Sequence, residues 1–250
     1  MMPRPAAILF DWDNTLVDAW AGVTTALNAA LVAFGHPTWT EEDVRARVRV
    51  SLRDSFPGMF GDGWTRARDI FYETLAATHL DHVRPMAGIA SVLDAAGAYP
   101  CAVVSNKTGP YLRAEVAYLG WAARFGAVIG AGDAAADKPD GAPLRMALDA
   151  IGIGPGETVW YVGDTALDMR AARAAGAVAV LLGDAAHDGG VAAAAPDLHM
   201  PDAATLAAAL HALASGPVAA TVHDAEAGCC DATHAPGAGL AREVPALRSR

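Results

Sequence analysis

The chain has 250 residues, of which 53% are hydrophobic and 18% are charged, so it can bury the core of a large α/β domain. These values exclude a small protein stabilised by disulfides or metals and a chain that is disordered throughout. The 18 basic and 28 acidic side chains give a net charge of −10, which argues against nucleic acid and anionic membranes as partners.

Membrane and secretion signals are weak in this sequence. No apolar run reaches the roughly 18 to 20 residues of a membrane helix, and two aspartates interrupt the first apolar run where a cleavage site would stand. The three cysteines Cys101, Cys229 and Cys230 form no disulfide framework, and the adjacent pair lacks zinc-ligand spacing. We therefore expect a cytoplasmic protein with no membrane partner.

Short apolar runs alternate with helical patterns along most of the chain. The runs predict strands at residues 6–10, 101–104, 127–129, 158–162 and 178–182. The helical patterns lie at residues 87–96, 111–119, 143–151, 167–175 and 203–213. Because parallel strands require such crossovers, we predict an α/β fold with a doubly wound parallel sheet, formed by residues 1–16 and 85–215.

Residues 17–84 carry no strand pattern and predict an inserted all-helical cap, with helices at residues 18–34, 41–50 and 62–80. In the second helix, Arg45, Arg49 and Arg53 recur at intervals of four and would form one stripe if the helix continued to residue 54. Two interpretations stay open: the stripe faces solvent, or it faces the site and binds a second anionic group of the substrate.

Polar clusters follow four of the predicted strands, at residues 11–15, 105–107, 137–139 and 163–168. Because the carboxyl ends of parallel strands line one crevice, this clustering predicts a binding site. Each cluster alone is weaker evidence, since Asp, Asn and Gly are also ordinary turn and cap residues.

Asp11 and Asp13 are two residues apart, so in an extended chain their side chains share a face. Such a pair can hold a divalent cation, with one carboxylate attacking phosphorus and the other moving a proton to the leaving group. From this segment alone, an acidic turn that caps the next helix is an equal alternative.

The other clusters offer complementary chemistry. Ser105 and Asn106 could bind phosphate oxygens at a helix N-terminus, and Lys138 could neutralise negative charge in the transition state. Asp164 and Asp168 are four residues apart, which places them on one helix face towards the same metal. Caps and an exposed loop lysine are the alternative interpretation of each cluster taken alone.

The segments DWDNT, VVSNK, the Lys138 region and GDTALD resemble the four ordered motifs of the haloacid dehalogenase-like hydrolases, over about residues 6–213. The subgroup they resemble most is the phosphoglycolate phosphatase-like one, with a helical cap. The resemblance implies a magnesium-dependent phosphatase that hydrolyses a small phosphorylated metabolite through an aspartyl-phosphate.

The resemblance also implies roles for the acidic residues. Asp11 would be the nucleophile, and Asp13 the general acid and then the general base. Magnesium would be held by the carboxylates of Asp11 and Asp164 and by the backbone carbonyl of Asp13. Asp168 would support the metal site or Lys138.

The remaining motif residues would handle the phosphoryl group. Thr15, Ser105 and Asn106 would bind it, and Lys138 would bridge it to the nucleophile. Asn14 replaces the usual glycine of the first motif, and asparagine tolerates positive φ well enough to keep a tight turn there.

Sequence features also bear on related functions. An aspartate at position 13 argues against the dehalogenases of the family, and the absence of lysine from residues 17–84 argues against phosphonate cleavage. A sugar-phosphate mutase stays open as an alternative. A non-catalytic phosphate-sensing module is disfavoured, since a receiver-like domain needs about half this length. The sequence does not predict the oligomeric state.

Residues 216–250 are rich in Ala, Gly and Pro and show no sustained apolar period, which predicts a disordered tail. Because such a segment has no apolar face to dock, we expect its deletion to leave the melting temperature and the specific activity nearly unchanged. Thermal denaturation and a phosphatase assay of the truncated protein test this. A large fall in either quantity would mean that the tail is structural.

Overall fold

The computed structural model describes residues 2–47 and 52–215, with the backbone alone for residues 52–54. The predictions for Arg49, for the Arg53 side chain, for the Cys229 and Cys230 pair and for the tail at residues 216–250 lie outside the described residues. In the part of the chain that is described, no helix is long and apolar enough to cross a membrane.

Within the described residues, six parallel strands form one sheet and two short strands form a separate antiparallel ribbon. The strands are β1 (Ala7–Phe10), β2 (Val17–Asp18), β3 (Arg84–Pro85), β4 (Cys101–Thr108), β5 (Ala127–Ala131), β6 (Val159–Gly163), β7 (Val178–Leu182) and β8 (Leu198–Met200). The sheet order is β5-β4-β1-β6-β7-β8. Because the chain starts in the middle of the sheet and winds outwards in both directions, the predicted doubly wound α/β fold is confirmed.

Helices cover both faces of the sheet. The helices of the core domain are α5 (Ile89–Ala96), α6 (Gly109–Tyr118), α7 (Ala142–Ala150), α8 (Ala166–Ala175), α9 (Gly190–Ala194) and α10 (Ala203–Ser215). Side chains from α5, α6 and α10 bury one face of the sheet, and those from α7, α8 and α9 bury the other. The apolar strands are therefore buried on both sides, as parallel strands require.

In the described part of the inserted lobe there are four α-helices: α1 (Trp20–Ala33), α2 (Glu41–Arg47), α3 (Leu52–Phe60) and α4 (Trp64–His82). The lobe has its own apolar core, in which Leu27, Phe56 and Phe71 are buried. The β2–β3 ribbon pairs Val17 with Pro85 and so holds together the two chain segments that enter and leave the lobe.

Several details differ from the sequence prediction. The segment 17–84 is not wholly helical, because β2 and β3 form at its two ends, and each strand has only two residues, too few for a periodic pattern. The sequence also does not predict the five-residue α9, or β8, whose three residues lie between two prolines and show no periodicity. α3 contains Pro57, although Pro57 and Gly58 together predict a connection. The helix predicted at residues 62–80 begins two residues later, at Trp64, after a 3₁₀ turn.

The turn after β1 has the conformation expected from its asparagine. Asn14 has φ +60, its backbone N–H donates to the Val17 carbonyl at 2.6 Å, and its side chain accepts from the Ala19 N–H at 3.3 Å. Asparagine is one of the residues that adopt this left-handed conformation at low cost. The prediction that a tight turn survives the loss of glycine is confirmed.

Gly130 marks a close approach between β5 and the junction of β4 with α6. A Cβ there would lie 2.6 Å from the Gly109 nitrogen and 2.7 Å from the Lys107 carbonyl oxygen. Because both are backbone atoms, we expect Gly130→Ala to lower the free energy of unfolding by about 1–3 kcal/mol, measured by urea denaturation. Gly154→Ala is the matched control, since a Cβ there would meet no atom within 4 Å. Equal losses in both variants would contradict the prediction.

Candidate active site

The four predicted polar clusters meet at one edge of the sheet. Phe10 of β1 is aligned with Val103 of β4 and with Val162 of β6, so the polar residues after these strands emerge side by side. They form the floor of a cavity of about 750 Å³ between the core domain and the inserted lobe. Asp11, Asp13, Ser105, Asn106, Lys138, Asp164 and Asp168 all line it.

Lys138 lies at the centre of this floor and is only 5% exposed. Its Nζ donates to Asp11 Oδ1 at 2.6 Å, to Asp168 Oδ1 at 2.7 Å and to the Tyr161 hydroxyl at 2.8 Å. Burial would lower the pKa of Lys138, but the two carboxylates outweigh burial and raise the pKa well above its ordinary value. The buried ammonium therefore stays charged and fixes the position of Asp11.

Both carboxylate oxygens of Asp168 accept hydrogen bonds. Oδ2 accepts from the Thr165 backbone N–H at 3.1 Å and from its hydroxyl at 2.6 Å, which completes a capping box at the start of α8. Oδ1 faces Lys138. Burial would raise the pKa of Asp168, but Lys138 and Thr165 together lower it. This carboxylate is thus an anionic support beneath the lysine.

The donor set fits a magnesium ion. Asp11, Asp164 and Asp168 each offer a carboxylate oxygen, and these oxygens lie within 4.8 Å of one another. Oδ2 of Asp164 is buried without a hydrogen-bond partner among the described residues, and the His187 ring contacts it at 3.2 Å. Hard carboxylate oxygens that are buried with few hydrogen-bond donors around them suit a small divalent cation.

Burial shifts the pKa values of Asp11 and Asp164 in the same direction. Burial raises the pKa of Asp11 to about 8, against the opposing effect of Lys138. Burial also raises the pKa of Asp164, although the neighbouring His187 acts in the opposite direction. Three carboxylates thus share a space in which one lysine cannot compensate all of them, and a divalent cation would supply the missing positive charge.

Ser105, Asn106 and Thr15 differ in their hydrogen-bond partners and in their burial. Asn106 Nδ2 donates to the Lys138 carbonyl at 2.9 Å and Oδ1 accepts from the Lys138 N–H at 3.0 Å, so Asn106 joins two of the motifs. Ser105 Oγ accepts from the Lys107 N–H at 3.2 Å. Thr15 is fully buried, its hydroxyl lies 3.2 Å from Asp164 Oδ1, and it is not among the residues that line the cavity.

Several residues of the site were missed by sequence reasoning. Lys107 Nζ contacts Asp13 Oδ1 at 2.7 Å and the buried Glu115 at 2.6 Å. Burial would lower the pKa of Lys107, but these carboxylates raise it. One signal was available: Glu115 shares the buried face of α6 with Leu112 and Val116, where a carboxylate is unexpected.

The inserted lobe lines the cavity mainly with aromatic and apolar side chains: Trp20, Tyr72, Leu75, Ala76 and His79. Arg45 does not line the cavity. It pairs with Asp18 at 3.1 Å and Glu41 at 2.7 Å, and its guanidinium lies over the Trp20 ring. The interpretation of the arginine stripe as an anion site therefore has no support from Arg45.

Tyr161 is a buried bridge between Lys138 and the sheet, since its hydroxyl accepts from Lys138 and donates to the Val104 carbonyl at 2.8 Å. We expect Tyr161→Phe to lower the free energy of unfolding by about 1–3 kcal/mol, because both partners lose a buried hydrogen bond. Chemical denaturation measures this. Tyr118→Phe is the control, since Tyr118 is 60% exposed. Equal stability of Tyr161→Phe and the unaltered protein would refute the bridge.

Comparison with known proteins agrees with this geometry. The sequence profile of the haloacid dehalogenase-like hydrolases matches residues 8–182. A phosphoglycolate phosphatase of Xanthomonas campestris is 33% identical over 191 residues, which cover 73% of this chain and 86% of that protein. A phosphoglycolate phosphatase of Xylella fastidiosa is 32% identical over 181 residues, covering 69% and 77%.

Solved structures share the fold. A haloacid dehalogenase-like family hydrolase of Streptococcus pneumoniae has a TM-score of 0.70 at 22% identity and covers 83% of this chain and 99% of its own. A predicted phosphoglycolate phosphatase of Haemophilus somnus has a TM-score of 0.68 at 22% identity, covering 82% and 97%. With its four motifs gathered at one sheet edge and a profile match over most of its length, the chain belongs to the haloacid dehalogenase-like hydrolases.

Proposed function

We propose that this protein is a magnesium-dependent phosphatase that hydrolyses a small phosphate monoester, of the phosphoglycolate type, through an aspartyl-phosphate on Asp11. Its assignment as a phosphatase rests on its family and on curated relatives named phosphoglycolate phosphatase. The observation that carries the mechanism is the buried Asp11 carboxylate, 6% exposed and 2.6 Å from Lys138 Nζ at the cavity floor.

In the first step, a carboxylate oxygen of Asp11 attacks phosphorus and forms a new P–O bond. The bond between phosphorus and the oxygen of the leaving alcohol breaks, and Asp13 donates a proton to that oxygen. The products of this step are the free alcohol, an aspartyl-phosphate and an Asp13 carboxylate. Asp13 suits this role because its side chain lines the cavity and is partly exposed.

In the second step, the Asp13 carboxylate takes a proton from a water molecule, whose oxygen attacks phosphorus. The P–O bond to Asp11 breaks, inorganic phosphate leaves, and both aspartates return to their starting states. Ser105 and Asn106 contribute donors to the phosphoryl oxygens, and Lys138 balances their charge. Lys138 is already fixed by its contacts with Asp11 and Asp168, so it needs no reorganisation.

Magnesium would be held by the Asp11 and Asp164 carboxylates and the Asp13 backbone carbonyl. When bound, it supplies positive charge to the phosphoryl oxygens and to the crowded carboxylates. Both carboxylate oxygens of Asp168 accept hydrogen bonds, from Lys138 and from Thr165, so Asp168 supports the lysine instead of the metal.

We also propose that the protein is cytoplasmic.

Replacement of the nucleophile tests the covalent mechanism. Asp11→Asn nearly preserves the shape of the side chain but removes the attacking carboxylate, so we expect phosphate release to fall by about 10³-fold or more. In the unaltered protein, we expect chelation of divalent cations to abolish phosphate release. A metabolite-panel assay for released phosphate measures both. Asp149→Asn on α7 is the control, because this aspartate is exposed and remote from the cavity. Near-normal turnover of Asp11→Asn would refute the mechanism. If the enzyme moves the phosphoryl group from one position of a sugar phosphate to another and releases no phosphate, it is a mutase.

The acid role of Asp13 predicts a dependence on the leaving group. Asp13→Asn should lose more activity with alkyl phosphates than with 4-nitrophenyl phosphate, because a basic alkoxide needs protonation as it leaves. The measurement is kcat/KM across a series of leaving groups. Equal losses across the series would contradict this role.

A further inference from the structure

Glu115 is a buried carboxylate that the proposed mechanism does not use. It lies on α6, is 1% exposed, and accepts from Trp12 Nε1 at 2.6 Å. Lys107 Nζ donates to both of its oxygens, at 2.8 and 2.6 Å, and His79 Nδ1 of the inserted lobe lies 2.8 Å from Oε1. A carboxylate with this many donors is fixed in both position and orientation.

Lys107 connects this carboxylate to Asp13. Its Nζ donates to Asp13 Oδ1 at 2.7 Å, so its three N–H donors are matched by Asp13 and the two Glu115 oxygens. Among the residues that the structure describes, Lys107 is the hydrogen-bond partner of the Asp13 carboxylate, and it engages one oxygen only. The other oxygen, Oδ2, has no hydrogen-bond partner among the described residues.

Stability does not account for this arrangement. A buried ion pair contributes little net stability, because desolvation offsets the attraction of the charges, and apolar residues of the same shape often serve as well. The pair instead restricts Asp13, whose side chain stands at the cavity wall and is 32% exposed. Proton transfer requires the acid to lie within hydrogen-bond reach of the leaving oxygen, so orientation of Asp13 matters for the rate.

We propose that Lys107 is a positioning residue for Asp13, and that Glu115 anchors Lys107 so that Asp13 Oδ2 faces the leaving-group oxygen. This inference rests on the proposed phosphatase function. Because the Lys107 ammonium already has three acceptors, it orients the acid and does not bind the phosphoryl group. Each substitution that loosens the anchor should then impair protonation of the leaving group.

The test uses Lys107→Met and Glu115→Gln in the full chain, assayed with 4-nitrophenyl phosphate and with alkyl phosphates. We expect kcat/KM to fall about 100-fold for alkyl phosphates and less than about 10-fold for 4-nitrophenyl phosphate, since kcat/KM reports the step in which the alcohol leaves and the chromogenic leaving group needs little protonation. Arg113→Gln is the matched control, because Arg113 lies on the same helix and pairs with Asp133 at the surface. It should behave as the unaltered protein does.

A double variant separates positioning from a structural effect. Adding Lys107→Met to Asp13→Asn should cause little further loss, because both changes remove the same function. Three outcomes would each overturn the inference while wild-type activity stands: an equal loss of kcat/KM for all leaving groups, additive losses in the double variant, or a raised KM with unchanged kcat. If the wild-type protein releases no phosphate from any monoester with magnesium present, the proposed function itself has failed, and this inference fails with it.

Discussion

The buried ammonium of Lys138 is the interaction on which the site depends. Asp11 and Asp168 approach it at 2.6 and 2.7 Å, and burial of either carboxylate in its charged form would cost much more without a cation beside it. The sheet order makes this contact available, because β1 lies between β4 and β6 and the residues after all three strands converge. Lys138 reaches the same point from the loop after β5, where Asn106 holds its backbone. The fold therefore concentrates negative charge and supplies one fixed positive charge to organise it.

The two lysines of the chain have parallel arrangements. Each joins one aspartate of the first motif to one carboxylate on a helix: Lys138 joins Asp11 to Asp168 of α8, and Lys107 joins Asp13 to Glu115 of α6. The proposed nucleophile and the proposed acid thus have separate counter-ions. Such preorganised charge is the kind of contribution that dominates many enzyme sites, since it costs no reorganisation during the reaction.

The sheet and most crossover helices could be predicted because apolar runs and turn residues are local signals. The elements that were missed carry no such signal: β2, β3 and β8 have two or three residues each, α9 has five, and α3 continues through Pro57. The motif residues were also predictable, because strand ends converge by topology. The residues that pair with these motif residues were harder to predict. Tyr161 looks like an ordinary strand residue in the sequence. The position of Glu115 beside Leu112 and Val116 indicates burial but does not identify its partner, so the contacts of both residues with the lysines are seen only in the structure.

The central claim is that phosphate passes through Asp11. The most direct measurement is to quench the enzyme rapidly during turnover with substrate and magnesium, reduce it with borohydride, and map the peptides by mass spectrometry. Borohydride reduces an acyl phosphate, so the account predicts a reduced side chain at position 11 that depends on both substrate and magnesium. An unmodified Asp11 under conditions of normal turnover, or reduction at a different carboxylate, would contradict it.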